Sequence, residues 1–339
     1  MSARAAILGC SGPVLTREEA SFFSQADPWG FILFARNVEN GEQVRALVAD
    51  LRTAVGRDAP VLIDQEGGRV ARLTPPEWTG WDNAETFLAR FADPEARLGA
   101  MRLRYHVIGT ELSLLGIDVN CAPMVDIARP ETHVAIRERL YGRDPDEVAR
   151  IGRAVAEGLA AGGVLPVLKH IPGHGRTPLD SHKSLPVVDV PREVLDADDF
   201  RPFRALADLP LGMTAHIVYP AIDPERPATA SPRVVRVIRE DIGFDGALMS
   251  DDLSMGALSG TLAERAAAAL AAGCDLALHC NGNADEMRAV IDAVPRLTGP
   301  ALSRTDAALA ARAALQPVPI DLVGALQQID DLSRGVSVA

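Results

Sequence analysis

The stretch LGCSGPVLT, residues 8–16, follows the first short apolar run of the chain, Ala6–Leu8. Its reading decides between two folds. An open, doubly wound sheet that binds a nucleotide carries a glycine-rich G-x-G-x-x-G turn or a Walker lysine directly after an early strand. LGCSGPVLT contains neither. The other way to cover a parallel sheet on both faces is to close it, so the fold turns on how many strand–helix units follow.

Eight short apolar runs read as strands: Ala6–Leu8, Gly30–Phe34, Val61–Ile63, Asp118–Ala122, Val164–Leu168, Leu211–Ala215, Ala247–Met249 and Leu276–His279. They are apolar throughout rather than alternating, as expected of strands buried on both faces. Helical patterns lie between them over Gly41–Val55, Pro94–Leu115, Asp144–Ala161, Pro191–Ala207, Pro232–Ile242, Thr261–Ala272 and Ala284–Val294. Asp144-Pro-Asp-Glu and Ser231-Pro are start signals, and Gly116, Gly162-Gly163 and Gly243 are stops. Eight strands alternating with helices in 339 residues predict an α/β fold, a single-domain (β/α)8 TIM-type barrel. The open sheet is the runner-up. The barrel domain is expected over residues 1–316, with residues 317–339 forming a C-terminal helix and tail.

Composition narrows the function. The net charge is −12, which disfavours nucleic acid and anionic membrane surfaces as partners. No apolar run reaches the roughly 18–20 residues of a membrane span. The sequence ILGC near the N-terminus looks like the end of a lipoprotein signal, but the apolar stretch before Cys10 is only Ala5–Leu8, so it reads as a strand. Cys10, Cys121, Cys274 and Cys280 are scattered in apolar runs and read as buried, reduced thiols of a cytoplasmic protein. A monomer is expected.

A barrel does its chemistry where strands end and loops begin. Charged and imidazole side chains stand at those points: Asp64, Lys169, His170, His216, Asp251 and His279, with Asp126 just beyond its strand. In LIDQEGGRVARL (62–73), Asp64 and Arg72 flank a Gly67-Gly68 turn; a carboxylate and a guanidinium together suit sugar hydroxyls or a structural ion pair. IRERLYGRDP (136–145) offers Arg137, Arg139 and Arg143 ahead of a helix start. In GALMSDDLSMGAL (246–258), Asp251 and Asp252 follow a buried strand, one placed to act as a nucleophile and one to cap.

KHIPGHGRTPLDSH (169–182) holds three of the chain's seven histidines. It reads as a solvated loop, a metal site using His170, His174, Asp180 and His182, or an acid–base element. Pro172 and Gly173 prevent His170 and His174 from sharing a helical face, as a helical zinc motif requires. Asp180 and His182 stand two apart, so an extended backbone points them the same way and lets the carboxylate fix the imidazole's tautomer. Its glycines and prolines predict a loop that closes over a ligand.

Taken together, KHIPGHG…DSH, DQEGGRVARL, SDDLSM and WGFILFARNVENGEQVRALVADLR (29–52) resemble the cytoplasmic β-N-acetylglucosaminidases of glycoside hydrolase family 3. The likeness runs from about residue 7 to about residue 290. It implies a metal-free and cofactor-free barrel that hydrolyses a terminal β-linked N-acetylglucosamine with retention. Position by position, it implies that Asp251 is the nucleophile, His182 the general acid/base and Asp180 its partner. Asp64, Arg72, Arg139, Lys169 and His170 are then the sugar-binding residues. The implied substrate is a small amino sugar, a muropeptide bearing N-acetylglucosamine on anhydro-muramic acid. Two positions depart from the pattern: Ile171 stands where the family has Phe, and RERLYG replaces a loop of smaller residues around Arg139. Other exo-β-glycosides on the same scaffold, a metal-dependent barrel hydrolase and an inactive sugar-binding module are the alternatives.

Overall fold

The first strand, β1 (Arg4–Gly9), is paired on both sides by strands from opposite ends of the chain, β2 (Pro28–Leu33) and β8 (Ala277–His279). Between them come β3 (Val61–Ile63), β4 (Val119–Asn120), β5 (Leu165–Ile171), β6 (Leu211–Thr214) and β7 (Ala247–Met249). The spatial order is β8-β1-β2-β3-β4-β5-β6-β7, every pair parallel. A parallel bridge from Met249 to Leu276, just ahead of β8, closes the ring. Ser250 reinforces the closure: its N–H donates to the Leu276 carbonyl at 3.0 Å, and its Oγ accepts from the Leu278 N–H at 2.9 Å. The computed structural model that shows this describes residues 2–177 and 184–335.

The strands are short and buried, with only Arg4 at the start of β1 half-exposed; all seven residues of β5 are buried. Closure leaves no edge, and the helices cover the outer face, so apolar side chains serve both sides of each strand. Helix ends follow local chemistry. Asp144 caps Pro145–Ala161 by accepting from the Asp146 and Glu147 N–H groups at 3.0 and 2.9 Å. Thr16 and Glu19 form a reciprocal capping box on Arg17–Ala26, the helix between β1 and β2 that the apolar periodicity leaves unmarked. The alanine-rich helix Gly299–Ala313 is likewise weakly patterned in sequence. Leu322–Ser333 forms a C-terminal helix that packs on Pro94–Ser113.

Two expected helices are interrupted. Pro232–Ile242 resolves into Pro232–Arg236 and a wide π-type turn over Val237–Asp241. Pro191–Ala207 resolves into Arg192–Val194, a wide π-type turn over Leu195–Asp199, and Arg201–Ala205. Pro202 lacks the N–H that would bond to the fourth residue before it, and its ring crowds that carbonyl. The widened turn absorbs the conflict and aims Asp198 and Asp199 at Arg176: Asp199 Oδ2 lies 2.7 Å from Arg176 Nε and Asp198 Oδ2 3.1 Å from its Nη2.

The four cysteines are buried free thiols. Burial pushes the Cys10 and Cys274 thiols up to about 12. No helix among the described residues is long and apolar enough to cross a membrane. Because the Asp144 cap satisfies two N–H groups of a long helix, Asp144→Ala is expected to cost about 1 kcal/mol in urea unfolding; an unchanged midpoint would show the cap to be dispensable.

Candidate active site

A cavity of about 240 Å³ opens at the carboxyl ends of the strands. It is smaller than the roughly 300–1,000 Å³ that drug-sized ligands occupy, and so suits a single sugar ring. Asp64, Arg72, Arg139, Lys169, His170 and Asp251 all line it, alongside Ile32, Phe34, Met213, Met255, Leu278 and Cys280. Residues as far apart in sequence as Asp64 and Asp251 thus meet in one space.

Its charged wall is built from the middle strands. Lys169, with 2% of its side chain exposed, sets Nζ 2.9 Å from Asp64 Oδ1 and 2.6 Å from Glu66 Oε1. Arg139 grips Glu66 in a fork, Nε to Oε2 at 2.8 Å and Nη2 to Oε1 at 2.7 Å. Arg72 Nη2 reaches Asp64 Oδ2 at 3.3 Å, and its guanidinium lies 5.0 Å from the centre of the Phe34 ring. Burial alone would raise the Asp64 and Glu66 carboxyls, but the adjacent cations outweigh it and hold both below the usual carboxylate range. Burial would likewise lower Lys169, and Asp64 and Glu66 reverse that. The network is therefore fully ionised near neutrality. Arg72 Nε is buried without a hydrogen-bond partner among the described residues.

Arg139 is separated from its neighbours by this geometry. It is buried against Glu66, whereas Arg137 is 44% exposed beside Glu85 and Arg143 is exposed. Arg137 and Arg143 line a different, outer cleft.

His170 Nδ1 lies 2.9 Å from Asp126 Oδ2, so the carboxylate accepts Nδ1–H and turns Nε2 away from itself. The other Asp126 oxygen accepts the His174 N–H at 2.5 Å. His174 is buried, with Thr177 Oγ1 2.9 Å from its Nδ1, and burial together with the nearby His170 pushes it down to about 4. It is a neutral support of the loop's fold. Gly175 is required beside it, because a Cβ there would collide with the Ile127 carbonyl. Lys169 and His170 are consecutive, and a regular strand would point them to opposite faces. Both nevertheless line the cavity, where the β5–β6 register shifts between Leu168 and Ile171. Asp180 and His182 lie outside the described residues, as does the rest of 178–183. Among the described residues no group of three or more His, Cys, Asp or Glu side chains could hold a metal ion.

The residue that sequence reading passes over is Glu66. It sits in the quoted LIDQEGGRVARL stretch with nothing local to distinguish it from a surface glutamate. Its carbonyl accepts from Arg104 Nη2, a wholly buried guanidinium that also donates to Asp82 O at 2.8 Å and lies 4.6 Å from the Phe87 ring centre. Gly67 (φ +102°) completes the turn, since a Cβ there would meet that guanidinium.

Removing the Glu66 charge leaves two buried cations short of a partner, and breaking a buried pair costs about 3–5 kcal/mol. Glu66→Gln is expected to lose up to that amount in urea unfolding at pH 7. Glu66 is depressed in the folded state, so its contribution is complete above the ordinary glutamate value and is lost as pH falls below it. The gap between wild type and variant should therefore be constant above about pH 5 and shrink below about pH 4. A gap independent of acid would assign the loss to packing instead.

Residues 12–310 match the family model described as the glycosyl hydrolase family 3 N terminal domain. A β-hexosaminidase from Chromobacterium violaceum is 37% identical over 301 residues, covering 84% of this chain and 82% of that protein. A structure of NagZ from Neisseria gonorrhoeae with N-trifluoroacetyl-D-glucosamine superposes with a TM-score of 0.83 at 30% identity, covering 99% of both chains. A family 3 β-N-acetylglucosaminidase from Paenibacillus sp. str. FPU-7 gives 0.85 at 30% identity, covering 97% of this chain and 67% of that one. With its closed parallel barrel and a polar cavity at the strand ends, the chain belongs to glycosyl hydrolase family 3 and is a glycosidase.

Proposed function

We propose that this glycosidase is a retaining exo-β-N-acetylglucosaminidase. The observation that carries the reading is the convergence of Asp251 and the Asp64, Arg72, Arg139, Lys169 and His170 set on one ring-sized cavity. The N-trifluoroacetyl-D-glucosamine in the gonococcal relative supports an N-acyl glucosamine as the sugar. The Arg72 guanidinium and the Lys169 ammonium donate to ring hydroxyls, and the Asp64 carboxylate accepts from them. Phe34, Met213, Met255 and Leu278 cover the apolar parts of the ring.

Asp251 is the nucleophile in this reading. Its carboxylate attacks the anomeric carbon while the bond to the leaving oxygen breaks, and protonated His182, charged and oriented by Asp180, gives that oxygen its proton. The glycosyl-aspartate then breaks down. Neutral His182 takes a proton from water, the water oxygen bonds to the anomeric carbon, and the Asp251 carboxylate leaves. The biological substrate is a cell-wall fragment in which N-acetylglucosamine is linked to anhydro-muramyl peptide, handled in the cytoplasm by a monomeric enzyme without metal or cofactor.

Two variants test the roles with an aryl N-acetyl-β-glucosaminide. Asp251→Ala should lose at least about 10³-fold in kcat; near-wild-type turnover would overturn the nucleophile. His182→Ala should lose about 10²–10⁴-fold, with azide accelerating turnover of the trapped glycosyl-enzyme. Full activity without azide would remove His182 from the mechanism. A panel of aryl β-glucosides and β-xylosides, run with and without chelator, separates this reading from another sugar and from metal chemistry.

A further inference from the structure

His216 is wholly buried two residues beyond β6, and it does not line the sugar cavity. Its Nε2 lies 3.0 Å from the main-chain carbonyl oxygen of Asp252. A carbonyl only accepts, so Nε2 carries the hydrogen. Burial holds the imidazole below its ordinary pKa even though Asp251 and Asp252 favour its charged form, so the ring is neutral near pH 7 and Nδ1 is a lone pair. Thr229 Oγ1 lies 2.7 Å from Nδ1 and 3.2 Å from the Ala215 carbonyl, and its one hydrogen goes to the nearer acceptor, Nδ1. Thr214 Oγ1, 2.8 Å from Thr229 Oγ1, is then the donor in that contact. The chain of hydrogen bonds has one direction: Thr214 to Thr229 to His216 to Asp252.

Its far end is the residue beside the nucleophile. The Asp252 N–H donates to Asp251 Oδ1 at 2.8 Å. Asp252 Oδ1 accepts from the Ser254 and Cys280 N–H groups, each at 3.1 Å, and Oδ2 accepts from Ser254 Oγ at 2.5 Å. The Asp252 side chain thus ties the loop to the end of β8, and His216 ties its main chain to the end of β6. A core filler would need none of this polarity, since a volume-matched apolar ring would leave no buried nitrogen to satisfy.

We propose that His216 is a positioning residue for Asp251: it clamps the main chain of Asp252, whose N–H fixes one oxygen of the attacking carboxylate. This rests on the nucleophile assignment above. A misplacement of about 1 Å at a reacting atom can cost about 10²-fold in rate. The sugar is held mainly from the opposite wall, on β3, β5 and the Arg139 loop, so binding does not depend on the clamp.

The test uses the full chain with an aryl N-acetyl-β-glucosaminide as substrate and free N-acetylglucosamine as inhibitor. His216→Phe should lower kcat and kcat/KM together by about 10²-fold while the inhibition constant stays unchanged. His216→Gln, whose amide can donate to Asp252 and accept from Thr229, should recover most of the loss. Thr229→Val should show a smaller loss that vanishes in the His216→Phe background. Wild-type kcat in His216→Phe, or a weakened inhibitor with kcat intact, overturns the proposal. If His216→Phe does not fold, wild-type kcat in Thr229→Val overturns it equally. An inactive Asp251→Ala beside a fully active His216→Phe sinks the clamp alone, whereas an active Asp251→Ala sinks the nucleophile assignment on which it depends.

Discussion

A single buried carboxylate, Glu66, faces two cations that come from different loops. Lys169 rises from the end of β5 and Arg139 from the long connection after β4, and both close on Glu66 within 2.8 Å. None of the three charges could be buried alone. Together they fix where Lys169 points, and Lys169 fixes Asp64 beside the cavity. The turn that presents Glu66 depends in its own right on Arg104, held between carbonyls and aromatic rings, and on a glycine that leaves room for that guanidinium. The sugar-facing surface is the outer layer of this buried construction.

The two sides of the cavity are held by different physics. On the β3–β5 side, compensated full charges set the geometry, and their carboxylates stay ionised well below neutrality. On the β6–β8 side, neutral hydrogen bonds of defined direction, through Ser250, His216 and the Asp252 main chain, set the loop that carries Asp251. The two walls meet at one cavity, with Asp64 and Lys169 on the first and Asp251 on the second.

The strand order was legible because each strand is a short, mostly apolar run and each gap holds a helix. Helices were legible where apolar spacing or a Pro-containing start signal marked them, as at Pro145–Ala161. They were missed where alanine flattened the pattern, as at Gly299–Ala313, and misjudged where Pro202 sits inside an amphipathic segment. Strand-end position was enough to single out Asp64, Lys169, His170 and Asp251. It could not separate Arg137, Arg139 and Arg143, which share a loop and a residue type; burial against Glu66 separates them.

The sequence by itself determined the alternation of strands and helices, the closed barrel and the residue types that stand at the strand ends, because these follow from spacing over a few neighbours. It did not determine which charges meet. Arg139 and Glu66 are 73 positions apart and Lys169 and Asp64 are 105 apart. His216 and the Asp252 carbonyl are 36 apart and lie on neighbouring strand ends. Those distances collapse only when the barrel closes and brings its strand ends into one ring. Glu66 looks like a solvated glutamate and His216 like a core histidine until that closure buries each of them against a partner that no local pattern names.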